Sequence, residues 1–358
     1  MSGGVDSGVA AARLHQAGHE VVGVTLHLWD YPEEGEAGSH GRCCAPEDQY
    51  DARRTADALG FAHFTFDRRE LFASKVVAPF VDAYLAGETP SPCTACNRGV
   101  KLAELFTIAD RLGAATVATG HYARIGHDAS GTPFLATGKD ATKDQSYFLY
   151  ATPPEQLARL VFPLGESTKA EVRAEAVALK LPGATKGESQ ELCFVGSGAH
   201  AYAKFVEERG EGRVRPGAIV DDTGREVGTH AGVHAYTIGQ RKGLGVALGK
   251  PAFVTKIDPT TATVHLGGEG DLEARAAHLD DVVLARGVAL PLTASVRVRY
   301  RHAGAEASIA QEGDRVIARF SDPVRAITRG QIAVLYDGDR VLGGGRIASA
   351  LAAKANFS

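Results

Sequence analysis

Long apolar runs are missing from this sequence, and the softer residue types are scarce: one methionine, one tryptophan and five cysteines in 358 residues. No run approaches the roughly 18 apolar residues of a transmembrane helix, which argues against a membrane protein. The first residues lack the basic start and apolar stretch of a secretory signal, so cytoplasm, where thiols stay reduced, is the expected compartment. An odd number of cysteines there argues against a disulfide framework and for chemistry or metal. Internal repeats and low-complexity linkers are also lacking. The net charge of −4 makes no demand for a nucleic-acid partner. Locally the balance differs: between Arg286 and Gly330 stand eight arginines against four acids. That excess suits phosphate contacts as well as it suits a solvated β face.

The first part of the chain alternates helical and strand patterns. "DSGVAAARLHQAGH" is Ala-rich with Gly18 placed to end a helix, and "EVVGVTLHL" reads as a buried strand. "PEDQYDARRTADALG", "AHFTFD", "SKVVAPFVDAYLAG", "RGVKLAELFTIADRLG" and "ATVATG" continue the alternation, which implies α/β architecture around a parallel sheet. Near Gly196 the chain turns Gly-rich and β-like, and from about Asp280 it holds short strands with "DGD" turns, the pattern of a small antiparallel barrel. Three domains are expected: residues 1–195, a central β-rich part at 196–275, and a C-terminal β-barrel at 276–358.

Two motifs carry chemistry. In "SGGVDS", Ser2 to Ser7, two glycines let the backbone approach an anion, two hydroxyls can donate, and the helix start offers free N–H groups. It is neither a Walker loop nor a dinucleotide fingerprint. Asp6 would repel a bare phosphate but can hold Mg²⁺ between phosphates or cap the helix. In "SPCTACN", Cys93 and Cys96 form a C-x-x-C that on spacing alone suits half a zinc site, a redox pair, cluster ligands or a catalytic thiol.

The loop "SGGVDS" resembles the PP-loop of the ATP pyrophosphatases. With "TPSPCTACNRGVKL", "ATGHYAR", "KDQSYFLY", "FPLGESTKAEVRAEA", "SQELCFVG", "YTIGQRKGLG", "RVRYR" and "YDGDRVLGGGRI", running in order over residues 89 to 347, the whole chain closely resembles the tRNA-specific 2-thiouridylase family. That resemblance implies a PP-loop ATP-binding domain and ATP-dependent thiolation of the wobble uridine, position 34, in tRNAs for Lys, Glu and Gln. ATP would convert the C2 carbonyl oxygen, a poor leaving group, to an adenylate, and sulfur would then displace AMP. A sulfur-donor protein is an implied partner, and ATP and Mg²⁺ are implied cofactors. In that fold a strand precedes the loop, whereas here Met1 stands immediately before Ser2; an upstream start is the expectation.

By the match, Cys96 is the nucleophile and Cys193 the persulfide carrier, both expected on loops. The nucleotide falls to Ser2, Gly3, Gly4, Val5, Asp6 and Ser7, with Leu26 beside adenine and Gly120 at the strand end where α/β folds place ligands. Ser91, Pro92 and Cys93 match the segment facing the target base. The residues implied for tRNA contact are His121, Lys143, Asp144, Gln145, Arg299, Tyr300, Arg301 and Gln331. Arg241 and Lys242, beside glycines, suit a backbone clamp, and strand alternation would put Arg299 and Arg301 on one face. The family often has Asp where Cys93 stands. Cys93, Cys96 and Cys193 could therefore ligate a 4Fe–4S cluster with one open iron, against a persulfide cycle or, less readily, zinc. Cys43 and Cys44 read as structural or incidental. Two rival readings are a PP-loop enzyme adenylating another substrate, which would need no cysteine, and a tRNA-binding remnant without catalysis.

Overall fold

The computed structural model describes residues 1–30, 46–187, 192–196, 198 and 201–352; Cys43 and Cys44 lie outside these. The chain divides into two compact units. The first holds Met1–Val77, Pro92–Ser197 and Asp339–Val341; the second holds Ala78–Ser91, Gly198–Gly338 and Leu342–Ser358.

In the first unit, α1 (Val5–Gln16) leads into β1 (Gly23–His27), α2 (Pro46–Leu59) into β2 (His63–Asp67), and α3 (Arg69–Phe72) into a π-helical stretch, Ala73–Val77. Helix α4 (Ala78–Leu85) belongs to the other unit. The first unit resumes with α5 (Pro92–Cys96), a π-helical turn over Asn97–Lys101, and α6 (Leu102–Leu112). Strands β3 (Val117–Ala118), β4 (Ala123–His127) and β5 (Pro133–Thr137) follow, then α7 (Pro154–Leu157), β6 (Leu160–Val161) and α8 (Lys169–Ala178). β1 pairs in parallel with β2, and β3 with β6, the parallel pattern expected of strands joined through helices. Among the described residues these remain two separate ladders. The Met1 ammonium donates to the Val24 carbonyl, and the Thr25 hydroxyl donates to the Met1 carbonyl at 2.7 Å, so the chain start runs along β1.

The alanines of α1 let α8 pack closely on it. Val9, Ala12, Leu164, Val172 and Ala176 are fully buried at this contact, and Val5, Tyr122 and Leu181 complete the cluster. α8 is defined at its start by a capping box, in which Thr168 accepts from the Glu171 N–H and Glu171 accepts from the Thr168 N–H.

In the second unit, α9 (Ala201–Arg209) packs on α4 through Phe80 and Phe205, 6.2 Å between ring centres, and Tyr84 and Tyr202 at 5.1 Å. A four-stranded sheet follows, built of β7 (Gly217–Val220), β8 (Glu226–His230), β9 (Phe253–Asp258) and β10 (Thr263–Gly267) in the order β8-β7-β10-β9. Ile219, Val254, Val264 and Leu266 form its core. The last part is a six-stranded antiparallel barrel: β11 (Glu273–Leu284), β12 (Leu292–Arg297), β13 (Ala305–Glu312), β14 (Arg315–Arg325), β15 (Ile332–Asp337) and β16 (Arg340–Ala352). Its order is β11-β14-β13-β12-β15-β16, and β11 pairs back with β16 to close the ring. Val296, Ile309, Ala318 and Leu335 fill it, the alternate inward positions of their strands. β12 ends at Arg297, so Arg299, Tyr300 and Arg301 sit in the turn beyond it rather than on a strand face as alternation suggested. Both arginines are exposed.

Candidate nucleotide and thiol site

The loop from Ser2 to Ser7 is shaped by backbone demands. Gly3 has φ of +71°, and a Cβ there would lie 2.0 Å from the Asp48 carbonyl oxygen. Gly4 is the N-cap of the 12-residue α1 and makes no side-chain cap, the kind of helix start whose N–H groups can bind an anion. Ser7 ties the loop together, its hydroxyl accepting from the Ser2 N–H at 3.0 Å and donating to the Gly4 carbonyl at 3.2 Å. Gly120, just past β3, lies so close to the first turn of α1 that a Cβ would sit 2.9 Å from the Ser7 nitrogen. Val5 is buried beneath the loop, and Leu26 is buried on β1.

Two lysines stand at this loop, and sequence reasoning picked out neither. Lys169, the first residue of α8, donates to both Asp6 carboxylate oxygens at 2.7 and 2.8 Å, and the Tyr122 hydroxyl donates to the same carboxylate at 2.8 Å. Lys186 pairs with Asp48 at 2.8 Å and Asp51 at 2.6 Å. Burial works against the Lys186 ammonium, but its hydrogen bonds to the two carboxylates outweigh that and raise its pKa. Lys169 could be found only through the tertiary contact, since Asp6 lies 163 positions away in sequence.

The cysteine segment is helical, not a loop. Pro92 occupies the first turn, where its missing N–H costs nothing, and α5, the π-helical turn and α6 run on to Gly113, which closes them at φ +69°. Inserted π turns recur at functional sites, and this one directly follows Cys96. Cys93 is exposed, whereas Cys96 is only 5% exposed. The neighbouring Asn97 is also buried, and its Oδ1 lacks a partner among the described residues. Cys193 is half-buried in a turn. Its neighbour Phe194 stacks edge-on with Phe72, 5.5 Å between centres, and with Trp29 at 6.2 Å, just past β1. The Ala73–Val77 stretch that follows Phe72 packs on α5, so both cysteine segments are mounted on one cluster.

Cys93, Cys96 and Cys193 form no disulfide among the described residues, and no three His, Cys, Asp or Glu side chains there are gathered as a metal ion would need. Cys93, Cys96 and Cys193 therefore do not present the preformed ligand set of a 4Fe–4S or zinc site.

Asp144 is buried and fully engaged, accepting from the N–H groups of Gly138 and Ser146, each at 3.1 Å, and from the Ser146 hydroxyl at 3.0 Å. Gln145 is bound to Tyr122 through both its backbone N–H and its side-chain oxygen. Together they set the Ser146–Leu149 turn on which α5 packs. His121 accepts or donates at Nδ1 with Thr119 at 2.8 Å. Burial of the ring, with the Lys101 charge adding to it, lowers its pKa to about 3, so it is neutral at physiological pH. In the second unit, the Gln331 amide donates to the Thr89 carbonyl at 2.9 Å.

A glycine loop at a helix N-terminus beside parallel strands, followed by a small β domain and a closed barrel, defines a HUP-type nucleotide-binding enzyme with appended barrels. Family models agree in order: the "tRNA methyl transferase HUP domain" over residues 1–197, the "tRNA methyl transferase PRC-barrel domain" over 203–268 and the "Aminomethyltransferase beta-barrel domain" over 279–347. The chain is 60% identical to a tRNA-specific 2-thiouridylase MnmA of Sorangium cellulosum, covering 99% of this chain and 92% of that one. It is 47% identical to the MnmA of Moorella thermoacetica, covering 98% of each, and 46% identical to that of Solibacter usitatus, covering 97% of each. The chain belongs to the tRNA-specific 2-thiouridylase family.

Proposed function

We propose that this chain uses ATP to replace the C2 oxygen of the wobble uridine of tRNA with sulfur, and that Cys96 and Cys193 carry the sulfur chemistry. Near-full-length identity of 60% to a 2-thiouridylase is the observation that carries the reaction. The uracil O2 attacks the α-phosphate of ATP and pyrophosphate leaves. The terminal sulfur of a Cys193 persulfide attacks C2 and AMP departs. The Cys96 thiolate then attacks the Cys193 sulfur, leaving sulfur on the base and a Cys96–Cys193 disulfide for an external dithiol to reduce. Mg²⁺, held through Asp6, would neutralise phosphate charge, and Lys169 and Lys186 supply further positive charge at the loop. Ser2, Gly3, Gly4, Val5 and Ser7 bind the phosphates, Gly120 admits the nucleotide, and Leu26 lies against adenine.

On this reading residues 1–195 form the catalytic domain, 196–275 the central domain, and 276–358 the tRNA-binding barrel. The target base meets Ser91, Pro92 and Cys93. His121, Lys143, Arg299, Tyr300, Arg301 and Gln331 contact tRNA, while Asp144 and Gln145 act by holding the turn beneath α5. The substrates are tRNAs for Lys, Glu and Gln, a partner protein delivers sulfur, and the enzyme works in the cytoplasm. No helix among the described residues is long and apolar enough to cross a membrane.

The test is mass spectrometry of nucleosides from tRNA incubated with ATP, a persulfide donor and the protein. Wild type is expected to yield 2-thiouridine. Cys96→Ser and Cys193→Ser are expected to fall to background while keeping tRNA-dependent ATP–pyrophosphate exchange. A methylated nucleoside, or thiolation that survives both substitutions, would refute the reading.

A further inference from the structure

Asn97 follows the buried Cys96 and opens the π-helical turn Asn97–Lys101. Its backbone is committed, since the Leu102 N–H donates to the Asn97 carbonyl across the five-residue step of that turn. Its side chain is not. Asn97 is 5% exposed, as is Cys96, yet the buried Asn97 Oδ1 accepts no hydrogen bond among the described residues. The elements packed around this segment belong to the first unit, as Asn97 itself does. They are the Ala73–Val77 stretch, which packs on α5, and the Ser146–Leu149 turn, which packs on α5 and on the π-helical turn. Those elements bury Val76, Val77 and Leu149, which carry no side-chain donor, and the Ser146 hydroxyl already donates to Asp144. A buried carbonyl without a donor costs stability, and a native fold keeps one where a ligand supplies the missing N–H.

We infer that Asn97 is a specificity-determining residue whose Oδ1 accepts the N3–H of the target uracil. The inference rests on the proposed thiolation and names how that site tells its base from others. A base lifted out of its stack is read by hydrogen bonds to its Watson–Crick edge. On that edge uracil offers one donor, N3–H, between two carbonyl oxygens, whereas cytosine has an acceptor at N3. Oδ1 therefore pairs with uracil, but against cytosine it leaves two acceptors buried and unpaired. A thiol S–H is too weak a donor to serve in place of the base. C2 is bonded to N3, so a base held at N3 by Asn97 presents the carbon to be thiolated to the segment that carries Cys96.

The experiment measures the affinity of the full-length protein, at one fixed salt concentration, for three tRNAs alike except at position 34. That position holds uridine, cytidine or 3-methyluridine. Wild type is expected to bind the uridine form roughly tenfold more tightly than the other two, the scale of one buried hydrogen bond lost. Asn97→Ala and Asn97→Leu remove the acceptor with and without loss of bulk, and each should bring the three affinities within about twofold. Asn97→Asp, which keeps an acceptor of the same shape, should keep the preference. Asn97→Leu is also expected to melt no lower than wild type, since it takes away an unpaired polar atom. A preference for uridine that survives in the Ala and Leu variants overturns the inference, and a lower melting temperature alongside it would make Asn97 a structural residue. A wild type without preference overturns it as well. Formation of 2-thiouridine by the wild type is scored on the same uridine tRNA. Thiolation with a preference indifferent to Asn97 defeats the inference alone. Loss of preference in the variants without any thiolation by wild type would defeat the reading of activity and leave recognition of the base by Asn97 standing.

Discussion

Asp6 is the residue on which the proposed nucleotide site turns, because Lys169 and Tyr122 converge on its carboxylate. Lys169→Met should leave tRNA binding intact and lower tRNA-dependent AMP release by about a hundredfold or more, the scale on which a lost charge-stabilising group is felt. Equal AMP release in the variant would remove Lys169 from the site. Gly3→Ala should abolish ATP binding, measured by equilibrium dialysis, since the new Cβ meets the Asp48 carbonyl at 2.0 Å on a backbone with φ of +71°. The acid side of the stability curve has a named contributor. His121 takes up its proton near pH 3 when folded and near its ordinary 6.5 when unfolded. Below pH 6.5 the unfolded chain therefore binds protons that the native chain refuses, and stability falls as pH drops towards 3. His121→Gln should melt with a shallower slope between pH 6.5 and 5; His63, His230, His234, His265 and His302, also lowered by burial, leave the remainder. At this scale the glycine loop and the cysteines were legible in the sequence, because backbone permissiveness and thiols are properties of residue type. Lys169, Lys186 and Asn97 were not, because their meaning comes from partners that only folding supplies.

At the scale of elements, the helix start at Thr168 supports the same site. Thr168→Ala removes one half of a capping box and should cost about 1 kcal/mol in urea unfolding, with a parallel loss of AMP release as Lys169 loses its fixed origin. Full activity alongside that destabilisation would show that the cap and the lysine are independent. Helices α1 and α2 and strands β1 and β2 follow from apolar periodicity and terminal glycines in the sequence. The cysteine segment did not, since "SPCTACN" has few apolar residues and a C-x-x-C suggests a loop, yet proline at the first helical turn and burial of Cys96 favour helix. The end of β12 at Arg297 was equally hidden, because "RVRYR" keeps an alternating pattern through the point where pairing stops.

The molecule as a whole carries a small net negative charge, and on the proposed reading it meets tRNA through local arginines. Affinity for tRNA should therefore fall steeply with salt. Arg301→Ala should reduce the slope of log K against log salt by about 0.7 to 0.9, the share of one phosphate contact. An unchanged slope would take Arg301 out of the interface. Closure of the barrel has a consequence for how the protein is made. The ring is complete only when Ala274 meets Ala352 and Leu284 meets Gly343, so β11 emerges from the ribosome long before its last partner. Until then its edge offers unpaired backbone to any neighbouring chain, and such distant pairings form slowly. Nascent chains halted before Arg340 should therefore be the species that chaperones capture and that aggregates when they are scarce.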